Sequence, residues 1–232
     1  MQTIDEIKIC RNLKACLDIE LDQNCAFGLA NETRKDRFAR LAAILQNMNA
    51  GKSGGGLSGG LASEKLWVEL LKDINAANKT KRFTFETKEA DADYAYTGHA
   101  FSHKTIGCRN KNADLALAWS KNRRGGIVRT FESSMVLVSF RPANPRSKTK
   151  FWRTAKTGVY IIPLPKLKQT VRKFKPNNKT STLIKAAYVV KLMSFAKEEG
   201  LFIPLEIDQD RWMKFELSYW KAGDSCVVRQ YD

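Results

Sequence analysis

Two histidines and five cysteines are all the soft metal ligands that 232 residues provide, and no two cysteines form a C-x-x-C pair. A structural zinc site needs four such ligands at close spacing, so none is expected. The odd set Cys10, Cys16, Cys25, Cys108 and Cys226 predicts reduced thiols that pack as small apolar residues. No run approaches the roughly 18 apolar residues of a membrane-spanning helix. Met1-Gln2-Thr3-Ile4-Asp5-Glu6 lacks the basic start and apolar stretch of a secretion signal, which predicts a cytoplasmic protein.

Acids are the other scarcity, and theirs is local. Residues 104–191 hold 21 Lys and Arg against two acids, Asp114 and Glu132, a net charge of +19. The remaining 144 residues carry 19 basic and 22 acidic side chains, a net −3, so the whole-chain excess of +16 lies in one block. Solubility alone spreads both signs over a surface. Cations gathered in one block suit a polyanion, because each Lys or Arg that neutralises a phosphate releases condensed counterions. A membrane surface would call for a basic amphipathic helix. The block instead contains strand-like runs such as Met135–Phe140 and Gly158–Ile162, so nucleic acid is the expected partner.

With 43% hydrophobic residues the chain can fill a sizeable core. Helical periodicity covers residues 3–17, with Ile4, Ile7, Ile9, Leu13 and Leu17 apolar, and a second helix is expected from Asn31, as its cap, to Met48. Gly51-Lys52-Ser53 followed by further glycines to Gly60 reads as a hinge or a loop touching a phosphate backbone. It is not a phosphate loop of a nucleotide triphosphatase, since Gln46 stands where the first glycine belongs and the preceding segment reads as helix. A third helix, 62–76, gathers Leu66, Trp67, Leu70, Leu71 and Ile74 on one side, with Glu64 at the margin of that face and Glu69 nearly opposite. Strands are expected at 82–87, 92–97, 100–106, 114–120, 127–140 and 157–163. Thr180-Ser181-Thr182 is expected to cap a helix from Leu183 to Glu199, and strands at 201–207, 213–220 and 226–230 complete the chain. The pattern predicts an α/β or α+β protein with a mixed sheet.

The informative stretch runs from Glu86 to Ile106. Two strand-like pieces flank a tight turn at Thr97-Gly98, with Asp93 on the first and Ser102 and Lys104 on the second. Residues i and i+2 share one face of a strand, so Ser102 and Lys104 can project together with Asp93 where the pair splays apart. Phosphodiester cleavage needs an oxygen-ligated divalent cation, an activated water and a positive group near the developing charge. Asp93 suits Mg²⁺, Lys104 suits the water and the transition state, and Ser102 can hold a metal-bound water. His103 turns to the opposite face and His99 follows the turn; neither is expected in catalysis.

Asp93 followed by Ser102-His103-Lys104 resembles the PD-(D/E)xK nuclease signature in its S-x-K form, found in some type II restriction endonucleases. The run Asp93-Tyr94 through Gly98 to Ser102-His103-Lys104-Thr105 is also similar to a segment of the mismatch-repair nicking endonuclease group. In those relatives a helical glutamate four residues after a glycine supports the metal site, as Glu64 follows Gly60 here. The resemblance implies a restriction-endonuclease-like mixed central sheet flanked by helices, with Glu64, Asp93, Ser102 and Lys104 catalytic and Asp93 and Glu64 holding Mg²⁺. Ser102 stands where the signature usually has an acid, and Glu69, Asp114 and Glu132 compete with Glu64 to supply it. The implied organisation is an N-terminal helical segment, 1–50, for dimerisation or DNA contact, then a nuclease domain, 51–232, with the basic DNA-binding block 104–191.

For DNA contact the candidates are Arg123, Arg124, Arg141, Arg146, Lys148, Lys150, Arg153, Arg172 and Lys173, with Trp152 as a base-stacking residue. Trp67, Trp119 and Trp212 sit in apolar patterns and are expected in the core. The expected activity is Mg²⁺-dependent, sequence-specific cleavage of double-stranded DNA by a homodimeric type II restriction enzyme, with a cognate DNA methyltransferase in the same system. The alternatives are a repair nicking endonuclease and a non-enzymatic DNA- or RNA-binding protein.

Overall fold

A computed structural model describes residues 2–25, 31–48, 55–87, 92–106, 115–118, 132–141, 145–148, 150–154, 157–171, 181–184 and 186–205. Three helices come first, α1 (Gln2–Leu21), α2 (Arg34–Met48) and α3 (Gly55–Ala77). Each buries one stripe: Cys10, Leu13, Leu17 and Leu21 on α1, Phe38, Ala39 and Ala42 on α2, and Trp67, Leu70, Leu71 and Ile74 on α3. The start of α2 is later than expected. Asn31 adopts a left-handed φ of 60°, and Thr33 caps instead. The Thr33 hydroxyl accepts from the Asp36 N–H at 3.1 Å while Asp36 accepts from the Thr33 N–H at 3.4 Å, a reciprocal capping box. The expected glycine hinge is also corrected, since Gly55–Gly60 forms the first turns of α3. Glycine in a helix costs about 1 kcal/mol relative to alanine, and the buried stripe from Ser63 to Ile74 sets the helical register that these turns continue.

The strands are β1 (Phe83–Thr84), β2 (Tyr94–Tyr96), β3 (His99–Ile106), β4 (Leu115–Ala118), β5 (Ser134–Ser139), β6 (Gly158–Ile162), β7 (Ser181–Ile184) and β8 (Phe202–Pro204). Between them lie α4 (Lys150–Thr154), α5 (Leu164–Val171) and α6 (Ala186–Glu198). Six strands form a mixed sheet in the order β1-β2-β3-β5-β6-β8, in which β3 and β5 are parallel and the other pairs antiparallel. Strands β4 and β7 pair separately. Ser181–Ile184 was expected to cap and begin a helix; it is β7, paired residue for residue with β4, and α6 starts at Ala186. Helix α5, not among the expected elements, follows β6 directly through Pro163 and buries Leu164 and Leu167. The strands expected at 213–220 and 226–230, and Trp119 and Trp212, lie outside the described residues.

Helix α3 packs on β3 and α6 on β6. The side chains of β5 and β6 are buried throughout, and the buried residues of α1 and α2 join the same continuous core. Trp67 stacks on His103 of β3 with centroids 5.4 Å apart, and Phe38 of α2 meets Trp67 edge-on at 5.1 Å. A buried Arg34–Glu20 pair at 2.7 Å ties α2 to α1, and Asn78 donates to the other Glu20 oxygen at 2.8 Å. Cys10, Cys16 and Cys25 are free thiols, the first two buried. Among the described residues no helix is long and apolar enough to cross a membrane.

At Gly158, β6 lies close against β8. A Cβ there would run into the Ile203 carbonyl oxygen and the Phe202 ring. Gly158→Ala is expected to destabilise the fold by about 1–3 kcal/mol through overpacking, read as a lowered urea midpoint at unchanged slope.

Candidate active site

The β2–β3 hairpin builds the site. Thr97 and Gly98 both take positive φ, 48° and 83°, which a two-residue hairpin loop of the primed kind requires. The turn sets Tyr94 opposite Phe101, and the residue before β2 is Asp93. Its N–H donates to the Phe101 carbonyl at 2.9 Å, extending the ladder by one bond. The next bond is made by a side chain: the Asp93 carboxylate accepts the His103 backbone N–H at 2.5 Å. Asp93 is thereby fixed against the segment Ser102-His103-Lys104. Strand alternation puts Ser102 and Lys104 on the face opposite His103.

Glu64 reaches this point from α3. Its carboxyl lies within hydrogen-bonding reach of Asp93, and Lys104 is close enough to act on it electrostatically. Burial pushes the Glu64 pKa up from 4.5 to about 7; the Asp93 charge and the shared hydrogen bond add to the rise, while Lys104 and Lys65 oppose it. At neutral pH the Glu64 carboxyl is therefore protonated for part of the time. The pair has the donor chemistry of a site for a hard divalent cation: two carboxylates, with water free to complete the shell, is how Mg²⁺ is commonly held. Among the described residues no group of three or more His, Cys, Asp or Glu gathers, so no described carboxylate joins this pair.

The two described competing acids are placed elsewhere. Glu69 is exposed and pairs with Lys72 at 2.7 Å. Glu132 is exposed just ahead of β5, and Asp114 lies outside the described residues. Ser102 is buried beside Asp93. Both histidines serve the fold. His103 is buried against Trp67, its Nε2 is 3.2 Å from the Thr105 hydroxyl, and burial followed by the Lys104 charge lowers its pKa to about 3, which keeps the ring neutral. His99 Nε2 lies 3.0 Å from the Ser134 hydroxyl, with its ring edge-on to Phe101. Sequence reasoning missed the support that His103 gives. The available signal was the spacing of Glu64 and Trp67, neighbours at i and i+3 on one helix, so that one element carries both the acid and the ring that backs the strand.

The basic candidates fall into two groups. Arg123, Arg124, Arg172 and Lys173 lie outside the described residues. Arg141, Arg146, Lys148, Lys150 and Arg153 belong to the β5–β6 connection, and all but the half-buried Arg141 are exposed. Trp152 is corrected: only 3% exposed, it packs in the core with the Arg141 guanidinium 4.5 Å above its ring, so it presents no open face to a base. Because β3 and β5 are parallel, the connection leaves the sheet at the end toward which β3 runs from Lys104. Ile106 lies opposite Ser139, and the Phe140 N–H donates to the Ile106 carbonyl at 2.9 Å.

No family model matches the chain, and no curated protein matches it in sequence. One solved structure, described as a restriction endonuclease in complex with substrate DNA, is similar at 15% identity with a TM-score of 0.46, over 82% of this chain and 95% of that one.

A carboxyl whose folded pKa exceeds its unfolded value binds more protons in the native state. Its stabilising effect is then full below the unfolded pKa and is lost as pH rises through the folded one. For Glu64 that window is pH 4.5 to about 7. In EDTA, stability is expected to fall across this range in the wild type. Glu64→Gln should flatten the decline and raise the urea midpoint above that of the wild type at pH 8.

Proposed function

We propose that the chain is a Mg²⁺-dependent endonuclease of double-stranded DNA, acting as a type II restriction enzyme. The observation that carries the reading is the convergence of Glu64, Asp93 and Lys104 from a helix and two paired strands. A carboxyl of raised proton affinity beside a second carboxylate and an ammonium is an arrangement suited to phosphoryl chemistry. The exposed cations of the β5–β6 connection, at the same end of the sheet, supply the phosphate contacts.

In this mechanism Asp93 and Glu64 hold the cation, which when bound supplies Lewis acidity at the scissile phosphate. The His103 N–H keeps the Asp93 carboxylate aimed, and the Trp67–His103 stack keeps that N–H in place. Lys104 orients the attacking water and offsets negative charge as it grows on the phosphoryl oxygens. The water oxygen gives up a proton to solvent as it bonds to phosphorus. The bond to the 3′ oxygen breaks, and that oxygen takes up a proton from solvent and leaves as a hydroxyl, the phosphate staying on the 5′ side. Ser102, without charge, positions water at most. Cutting both strands calls for two such sites, hence a homodimer, and a cytoplasmic restriction enzyme requires a methyltransferase to protect host DNA.

Plasmid digestion tests this. The wild type should cut in Mg²⁺ and not in EDTA, and linear rather than nicked product marks two-strand cleavage. Asp93→Ala and Lys104→Ala are each expected to lower the cutting rate by at least about 10²-fold while circular dichroism and duplex binding persist. Binding without any cutting, unchanged by Asp93→Ala, would leave a non-enzymatic DNA-binding protein.

A further inference from the structure

Three residues of the candidate site have a buried polar chain neighbour. Ser63 precedes Glu64, Tyr94 follows Asp93, and His103 precedes Lys104. Ser63 and Tyr94 are wholly shielded from solvent, as is Trp67, and His103 is nearly so. Among the described residues six side chains keep a buried polar atom without a hydrogen-bond partner, and four of the six are these. The atoms are the Ser63 hydroxyl, Trp67 Nε1, the Tyr94 hydroxyl and His103 Nδ1.

Trp67 connects them. Its ring stacks on that of His103, with centroids 5.4 Å and planes 20° apart. Burial pushes the Tyr94 hydroxyl pKa up and the nearby Trp67 N–H opposes the rise, although no hydrogen bond closes between the two. Ser63 stands one turn before Trp67 on α3. Helical side chains lean toward the N-terminus, so the indole lies over the turn that carries Ser63. Tyr94 is held in place from its other side by Phe101, stacked at 5.7 Å and 14°.

Buried polar groups are as a rule bonded to protein or to ordered water, and four bare ones around a single ring would be a large departure. Their chemistry is complementary to water. An indole N–H only donates, a hydroxyl both donates and accepts, and Nδ1 of a neutral imidazole does one or the other by tautomer. A water molecule can give two bonds and take two, and a buried one typically makes about three. The set holds no carboxylate, ammonium or guanidinium, so it suits a small neutral ligand better than an ion.

We infer that the buried layer around Trp67 is a water-binding site, where at least one ordered water joins Ser63 and Trp67 of α3 to Tyr94 and His103 of the β2–β3 hairpin. It is a further tie between the helix that carries Glu64 and the hairpin that carries Asp93, and it does not depend on the nuclease reading.

A high-resolution crystal structure of the full chain should show a water within hydrogen-bonding distance of the Tyr94 hydroxyl and of at least one of the other three atoms. The same layer without water would overturn the site. Urea unfolding gives a readout in solution, because the two cases differ in sign. Removing a bare hydroxyl relieves an unmet bond, and removing a hydrated one loses a bond that is made. Tyr94→Phe is therefore expected to lower the urea midpoint at unchanged slope. A midpoint that rises or stays where it was overturns the inference. Ser63→Ala, made in the wild type and in Tyr94→Phe, then shows whether both hydroxyls serve one water. It should cost more in the wild type, and an equal effect in the two backgrounds overturns the shared site. The helix preference of alanine cancels in that comparison. Should a variant fail to fold, the wild-type crystal structure still decides. None of these measurements needs DNA or a metal ion. A chain that holds the water and cuts nothing refutes the endonuclease alone, and one that cuts over a dry layer refutes the water site alone.

Discussion

Where β2 ends, the Asp93 side chain takes over from the backbone, and the candidate site depends on that substitution. A carboxylate that replaces a carbonyl in the ladder is held as firmly as the strand beside it, by a charge-assisted bond from the His103 N–H. That bond holds Asp93 against the Ser102-His103-Lys104 segment, where Glu64 of α3 lies within its reach. Without it Asp93 would be a polar residue at a strand end, free to turn to solvent. His103 matters through its backbone, and its buried, neutral ring stacked on Trp67 fixes where that backbone lies.

The parts of the site legible in the sequence were those governed by local rules. Period two along Ala100–Ile106 separates Ser102 and Lys104 from His103, and Thr97-Gly98 is readable as a turn because glycine accepts positive φ without strain. The apolar stripe of α3 leaves Glu64 at its margin and Glu69 outside, and the structure puts Glu64 beside Asp93 and leaves Glu69 exposed on Lys72. Each of these depends on residues within two turns or one hairpin of each other.

The misreadings share a different cause. Ser181-Thr182 looks like a helix cap, yet its partner is β4, more than sixty residues earlier, and pairing across that gap outweighs capping. The glycines of α3 look like a hinge, and the helix they extend is stabilised by tertiary burial further along. Trp152 beside Arg153 looks like a base-stacking residue, and the cation that covers its ring comes from Arg141, eleven positions away. A single sequence reports propensity and period; it does not report which distant segment arrives to compete.

Two ranges of electrostatics meet in this molecule and act on different events. The +19 block is attractive to a polyanion at long distance, but salt screens exposed charges beyond about 8 Å, so in the proposed nuclease it would steer an approaching duplex without setting the protonation of Glu64. That is set at contact: burial and Asp93 hold Glu64 near a pKa of about 7 despite Lys104 and Lys65 pulling the other way. A divalent cation bound between Glu64 and Asp93 would offset both carboxylate charges, whereas a proton on Glu64 offsets only one. The parallel pairing of β3 with β5 brings the two ranges to one place, since a chain that leaves the sheet after Phe140 must carry its cations past the end where Lys104 stands. Had β5 run antiparallel to β3, the same residues would emerge at the opposite end of the sheet, and a duplex drawn in by the basic connection would lie away from the acids.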